Sequence, residues 1–437
     1  MATCKLHLLV LSTLLFAGTT ASAQQDSLLL TVDKLFELGM QHSLQLQADN
    51  IKQAVAGQQQ HSARAGRLPD VQIGLKAGVV GQPIVWQHGL NNAVYPDAPD
   101  WSQNYAVDFT QPLYQGGRIT GTIRKADLER QLTELRTLTD QSSIKLNLLN
   151  QYLQLFTLYK QHEVLTRNIE ESELRLHDIR RMKEEGLITN NDVLRSEMQL
   201  TNDRLSLQET ENSIALLSQQ LDILLGQDEN LLLRPDSILL HQSMTLQTYD
   251  WYIEQAYRSA PEMRLLYAQT EQARNDIRLT KAASLPSLSL YASNTLARPV
   301  SRTLADMYNN NWNVGLSLSY PLSSLYKNNH RIKAGKLTLQ LRKNEEEQQM
   351  QRIRVEVRTA YLRHQEVLQR VDALQLSMRQ AEENYRIMQN RYLNRLTILT
   401  DLLDANSVRL NVELQLITAR TRVVYTYYQL RKACGEL

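Results

Sequence analysis

The chain of 437 residues has only two cysteines, Cys4 and Cys434. The first lies in a segment that reads as removed on export. No intrachain disulfide and no cysteine-based metal site is then available to the mature protein. Phe and Trp are scarce, four of each against 19 Tyr, so a large aromatic core is excluded. Charge of one sign is also lacking, with 48 basic and 46 acidic residues and a net charge of +2. A nucleic-acid-binding face needs a strong basic excess, and none is present. Beyond the N-terminus there is no apolar run of about 18 residues, so no membrane-spanning helix is expected. The nine histidines include no H-x-x-x-H or H-E-x-x-H, so metal is unsupported and no cofactor is implied.

The N-terminus, "MATCKLHLLVLSTLLFAGTTASAQQ", supplies Lys5, an apolar run from Leu6 to Ala17, and Ala21-Ser22-Ala23. This is the pattern of a secretory signal peptide over 1–23, with cleavage expected after Ala23. Cys434 is then the remaining cysteine, read as a small apolar residue near a helix end.

What the chain has in abundance is repetition. "LTVDKLFELGMQHS" and "QTYDWYIEQAYRSA" align Thr31 with Thr248, Asp33 with Asp250 and Glu37 with Glu254. At the same spacing Leu68-Pro69 aligns with Leu285-Pro286. At a slightly shorter spacing Pro112-Leu113 aligns with Pro321-Leu322, Tyr152 with Tyr361, Asp192 with Asp401, and Gly226 with Gly435. The change in spacing falls between two strands, where a loop tolerates variation. The expected organisation is a first repeat over 24–226, a linker over 227–247 and a second repeat over 248–437.

Each repeat reads as the same series of elements. A short helix (32–42; 249–259) follows Thr31 or Thr248 as N-cap. A second helix (45–67; 262–284) is stopped by Pro69 or Pro286. Two period-2 segments come next, near 71–80 and 103–111, then 287–295 and 312–320. Val71, Ile73, Leu75 and Val79 alternate with Gln72, Gly74, Lys76 and Gly78. Their length suits a tilted strand crossing an outer membrane. Long proline-free helical stretches follow over 117–185 and 328–395. Roughly 68 residues at 1.5 Å each make a helix on the order of 100 Å long. Shorter helices close the repeats over 190–225 and 400–433. The fold class is mainly α with a small β part.

Apolar spacing in the long helix predicts a wall rather than a closed bundle. Leu146, Leu149, Leu153 and Phe156 form one stripe; Leu148, Tyr152, Leu155 and Tyr159 form another. Two adjacent seams let one helix pack on both sides. Four strands per chain cannot close a spanning barrel, which needs at least eight. Open edges in lipid leave backbone groups unpaired, so other copies must complete the sheet. Two copies give eight strands and three give twelve; composition does not choose.

The tandem repeat, the two Leu-Pro pairs, "QPLYQGG" with its counterpart "YPLSSL", "EGLITNNDVLRSE" and "YLNRLTILTDLLDAN" together resemble the TolC-like outer membrane efflux protein family. The resemblance covers essentially the whole mature chain. It implies a homotrimer with a 12-stranded β-barrel in the outer membrane, in contact with its lipid, and a periplasmic α-barrel of long coiled-coil hairpins. It implies a channel of a tripartite efflux or type I secretion system, exporting small molecules or proteins. The implied partners are a periplasmic adaptor and an inner-membrane transporter of RND, ABC or MFS type.

The helical turns carry the site residues that the resemblance implies. At the first turn these are Gly186, Leu187, Thr189 and Asp192, with Lys183 in place of an aromatic. At the second they are Tyr392 and Arg395, the latter where the pattern has Gly, and Ile398 stands where it has Ser/Thr. Those departures predict a second turn of different shape and weaken the expectation of adaptor docking there. Asp401 and Asp404 match acidic residues that ring the periplasmic mouth. At i, i+3 they share one helix face, unlike a catalytic carboxylate pair set on separate elements, so no enzyme is expected. "GGRITGT" lacks the Gly-Lys-Ser/Thr of a phosphate loop and reads as a strand-to-helix hinge. The alternative of another class is an exported coiled-coil envelope scaffold, which needs no membrane strands.

Overall fold

The computed structural model describes residues 27–97, 99–229, 231–236, 245–299 and 305–437. The expected signal peptide, with Cys4 and the Ala23 cleavage site, lies outside the described residues. In chain order the elements are β1 (Ser27–Leu30), α1 (Val32–His42), α2 (Leu44–Ala65), β2 (Asp70–Val79), β3 (Val85–His88), β4 (Asn91–Val94), β5 (Trp101–Tyr114), α3 (Arg118–Glu184), α4 (Asn190–Leu225) and β6 (Leu232–Pro235). Then come α5 (Tyr249–Ser259), α6 (Pro261–Ala282), β7 (Ser287–Arg298), β8 (Asn309–Ser319), α7 (Ser323–Leu393) and α8 (Leu399–Ala433).

Local chemistry sets the helix starts. Thr31 caps α1 by accepting from Lys34 N at 3.3 Å, and Thr248 caps α5 by accepting from Trp251 N at 3.4 Å. These hydroxyls satisfy donors that the first helical turn cannot pair internally. The long helices α3 and α7 run 67 and 71 residues. On one side of α3, α2 runs antiparallel, with Gln60 bonded to Asp127 and Gln53 to Thr137. On the same side, further along, α4 pairs Asp203 with Asn168 and Glu197 with Arg180. The other side of α3 holds α6, through Lys125–Asp276, and α8, through Thr157–Thr421 and Asn168–Asn406. Beyond these lies α7, joined to α6 by Asn328–Ser284 and to α8 by His364–Thr426. The columns are therefore α2/α4, α3, α6/α8 and α7, an open wall. Of the seam residues, Leu148, Leu149, Tyr152, Leu153, Leu155 and Phe156 are buried, and Leu146 and Tyr159 are half-buried.

An equatorial girdle wraps one face of this wall. The parallel pair β1–β6 and helix α1 pack over α3 and α4. Tyr152 anchors them: its hydroxyl reaches Leu30 O at 3.1 Å and Asp236 O at 3.0 Å, and Asp236 N lies 2.9 Å from it. Tyr361, its repeat counterpart, instead stacks near Tyr249 and Tyr252 of α5. The pair β1–β6 and the β3–β4 hairpin were not foreseen from sequence, because runs of four residues carry too little periodicity.

Asp222 near the end of α4 is 0% exposed, and neither carboxylate oxygen has a hydrogen-bond partner among the described residues. Burial, and then the charge of Asp228, push its pKa up to about 6. Its folded pKa lies above the unfolded one, so the unfolded chain releases the proton first as pH rises. Stability is lost from about pH 4 to about pH 6, by about 3 kcal/mol per chain. Asp222→Asn removes this loss. The dissociation temperature of the variant, relative to wild type, should climb between pH 4 and pH 7; a difference that is flat with pH refutes the assignment.

The sheet is four-stranded and antiparallel in the order β2-β5-β7-β8. Its strands extend beyond the expected bounds at several ends, most at β5, which continues past a register shift at Pro112/Tyr114. One face carries Val71, Ile73 and Leu75 on β2 and Trp312, Val314, Leu316 and Leu318 on β8, exposed by 58–72%. Across the pairing, Gln72, Asp108, Ser293 and Asn313 fall on the other face. Ser293 Oγ donates to Asp108 Oδ1 at 2.6 Å. Among the described residues no helix is long and apolar enough to cross a membrane.

Candidate functional site

The two turns at the far end of the wall are where the sequence places its site residues. At the first, α3 ends on Glu184 and Gly186 adopts φ +73°. Gly186 N donates to Lys183 O and Leu187 N to Met182 O, both at 2.9 Å. This pair of bonds closes a helix through a left-handed residue, for which glycine is favoured. Thr189 then opens α4 with φ −87° and ψ 159°. Asp192 Oδ2 accepts from Thr189 N at 3.1 Å and from Thr189 Oγ1 at 2.7 Å. Asp192 is thereby held as a capping residue in the first turn, where the helix dipole favours an acid.

The second turn has the same backbone. Arg395 N donates to Tyr392 O at 2.9 Å and Leu396 N to Arg391 O at 2.8 Å. Ile398 sits at φ −87° and ψ 159°, like Thr189. The expectation of a differently shaped turn is therefore corrected: the bonding pattern is backbone to backbone and does not need the glycine side. Arg395 meets it at φ +61°, at a cost of about 1 kcal/mol for an L-residue with a Cβ. Ile398 has no hydroxyl to cap with, and Thr397 Oγ1 instead donates to Asp401 Oδ2 at 2.5 Å. Arg395→Gly should relieve the strain and slow amide exchange at Leu396 about fivefold, an effect of about 1 kcal/mol. Unchanged or faster exchange argues that the Arg395 side chain contributes more than its backbone costs.

The turns lie side by side. Arg195 Nη1 donates to Thr400 Oγ1 at 2.8 Å across them. Tyr392 packs with Ile179, Val193, Leu399 and Leu402 in one apolar cluster. Burial raises the Tyr392 hydroxyl pKa, and the nearby Asp192 charge adds to it; the hydroxyl has no hydrogen-bond partner among the described residues. Asp401 and Asp404 are both exposed on one face of α8. Asp404 has no hydrogen-bonding or ion-pairing partner among the described residues. Leu187, Leu396 and Ile398 leave the tips apolar, at 38%, 67% and 65% exposure.

Behind the turns lies a buried polar network that sequence reasoning missed. Asp203 Oδ2 accepts from Asn168 Nδ2 at 2.8 Å and from Ser172 Oγ at 3.3 Å, and Oδ1 accepts from Gln199 Nε2 at 2.9 Å. Asn406 Nδ2 donates on to Asn168 Oδ1 at 3.0 Å. Arg409 donates to Asn406 Oδ1 and lies 4.3 Å over the Tyr385 ring. The network fixes α3, α4 and α8 in one register. Its signal was present: beside the unbroken apolar series Val193, Leu200, Leu207 and Ile214, spaced by heptads, Asp203 stands at the companion seam position three residues after Leu200.

The sequence matches the outer membrane efflux protein family over residues 35–227 and 252–436. The chain belongs to that family. Its members are channels of the outer membrane, which is where this efflux protein resides. The fold agrees with solved structures at low identity. The outer-membrane channel OprN is 19% identical, with TM-score 0.77, over 93% of this chain and 90% of that one. The outer membrane protein VceC from Vibrio cholerae is 19% identical, with TM-score 0.77, over 92% of this chain and 96% of that one. CusC, whose structures concern transmembrane channel formation, is 16% identical, with TM-score 0.80, over 92% of each chain. No curated protein matches the sequence. Membership in this family sets aside the alternative of an exported coiled-coil envelope scaffold.

Proposed function

We propose that three copies of this chain form the outer membrane duct of a tripartite export system. The observation that carries the reading is the open sheet. Among the described residues both outer strands, β2 and β8, lack a partner on their outer edges, and one face carries exposed apolar residues. Pairing β2 of one copy with β8 of the next turns three sheets into a twelve-stranded barrel with no edge left in lipid. The same operation closes the helical wall below it. The exposed surface supports this: the chain presents 28354 Å², against about 17,000 Å² for a compact monomer of this mass. The duct comprises two repeats, 24–226 and 248–437, joined by a linker over 227–247. Cargo is small molecules or proteins delivered by an inner-membrane transporter of RND, ABC or MFS type through a periplasmic adaptor.

In this reading the turns form the periplasmic end. Asp401 and Asp404 guard the mouth. Gly186, Leu187, Thr189, Asp192, Tyr392 and Arg395 make the surface on which the adaptor docks, and the shared backbone of the two turns gives it two similar footprints per chain. The exposed Leu187, Leu396 and Ile398 supply the apolar contacts such docking needs.

The segment joining β2 to β5, with its β3–β4 hairpin, and the segment joining β7 to β8 are then external. A tag inserted at Asn91 should label on intact cells, and native mass spectrometry of the detergent-extracted protein should give a trimer. Labelling only after permeabilisation, or a soluble monomer or dimer, overturns the reading.

A further inference from the structure

The girdle marks one face of the helical wall, and the opposite face carries a charge pattern of its own. Tyr152 of α3 points to β1 and β6, and Tyr361 of α7 points to α5. At about 100° per residue, Gln154 and Gln161 lie roughly 160° and 180° around α3 from Tyr152. By the same count Arg363 and Arg370 lie roughly 160° and 180° around α7 from Tyr361. Two adjoining grooves run along that opposite face. The first is lined by Asn150, Gln154 and Gln161 of α3, Gln220 of α4 and Arg422 and Tyr425 of α8. The second is lined by Gln161, Arg363, Glu366, Arg370, Gln415 and Arg422. Gln161, Thr418 and Arg422 belong to both.

These grooves hold three guanidiniums against one carboxylate. Several other arginines of the wall are ion-paired, as in Arg204–Glu173, Arg180–Glu197 and Arg409–Glu171. Arg363, Arg370 and Arg422 make no ion pair among the described residues; Arg422 only lies 5.6 Å over the Tyr425 ring. Unpaired guanidiniums beside Leu153, Leu217, Val367 and Tyr425 present a planar donor fork next to apolar surface.

We infer that Arg363, Arg370 and Arg422 form a cationic belt on the inner wall of the duct, which receives organic anions with an apolar body. The inference rests on the trimeric duct proposed above, in which the face away from the girdle is the lumen. Carboxylates and sulfonates match the guanidinium fork, and the apolar lining takes the body of the molecule. The belt stays open to water, so binding is weak and reversible, as conduction requires.

The test uses the whole trimer in a planar bilayer, with naphthalene-2-sulfonate as the probe and 1-naphthylmethylammonium as its cationic counterpart. Probes are added from the barrel side, so that they reach the belt without crossing the acidic mouth. The sulfonate should reduce current in wild type. In the Arg363→Gln/Arg370→Gln/Arg422→Gln variant its half-blocking concentration should rise about tenfold or more, and the corresponding Lys variant should stay within about threefold of wild type. Glu366→Gln should lower it about twofold. Block by the ammonium should not weaken in the Gln variant. Heat-resistant trimer on a gel establishes that each variant assembles. Unchanged sulfonate block in the Gln variant, or equal loss of block by both probes, overturns the belt while the duct stands. A wild-type protein that forms no channels overturns both.

Discussion

Gly116→Ala is expected to abolish the heat-resistant trimer, whereas Gly117→Ala, one residue on, should leave it. Both glycines have positive φ, +61° and +85°, and together they swing the chain from β5 into α3. For an alanine the left-handed conformation alone costs about 1–2 kcal/mol at either position. The difference is the space around them. A Cβ at Gly116 comes within 2.6 Å of Leu285 Cβ and 2.8 Å of Ala282 O, whereas at Gly117 its nearest neighbour is Thr120 Oγ1 at 3.9 Å. Neither Leu285 Cβ nor the Ala282 carbonyl is the free end of a flexible side chain. Relief therefore requires α6 to move away from the start of α3, at about 1–3 kcal/mol for the overpacking. That junction also carries Asn275 Nδ2 donating to Gly121 O at 2.8 Å, so the shift breaks a bond where barrel meets wall. Repeated in each copy, the error accumulates at the ring that must close. The check is a heat-modifiability gel of outer membranes from both variants. Equal trimer yields for the two would show that conformational freedom, not close packing, is what the joint requires.

That joint also shows what was legible in the sequence and what was not. The order of helices and strands was legible because it is written twice, and each element is long enough to display its period. The caps at Thr31 and Thr248 were legible because a hydroxyl before an amphipathic run has a local meaning. The join between barrel and wall was less so. "QPLYQGG" and "YPLSSL" align, yet β5 runs on to Tyr114 and turns through two glycines, while β8 stops at Ser319 and α7 begins at Ser323. The first joint lays the Gly116 backbone against the end of α6, whereas the second meets that end through Ser324 and Asn328, both bonded to Ser284. Pairings between distant residues were hidden as well: Tyr152 with Leu30 and Asp236, and Asp203 with Asn168, join points that no local pattern relates. The turn at Arg395 misled for the opposite reason. Its residue types predict a change of shape, but backbone-to-backbone bonds within the turn hold the conformation that the first turn takes with glycine.

The double variant Asp401→Asn/Asp404→Asn should lose cation selectivity and block by trivalent cations, leaving an assembled, conducting trimer. The two carboxylates sit three residues apart on the exposed face of α8, one turn from the tip. In the proposed trimer, threefold repetition would bring six of them around one axis. In wild type, Asp401 is steadied by Thr397 Oγ1 at 2.5 Å, a contact that orients the carboxylate without neutralising it. The basic residues nearby do not offset it within the chain: Arg391 Nη2 is turned to its own Leu396 O at 3.4 Å, and Arg395 makes no ion pair among the described residues. Six carboxylates left unneutralised attract cations to the mouth, hold a multivalent cation well, and repel one another as the ring narrows. A narrow ring must therefore be held against that repulsion by contacts other than the carboxylates themselves. Planar-bilayer recordings of wild type should show preference for cations and block by a trivalent cation at about micromolar concentration, from the periplasmic side only. Salt should weaken the preference as the Debye length falls from about 10 Å at 0.1 M to about 3 Å at 1 M. Asparagine keeps the size and the hydrogen bond from Thr397 while removing the charge, so the conductance change reads charge alone. If selectivity and block survive the double substitution, the two aspartates are a solvated helix face and the constriction lies at another ring of the duct.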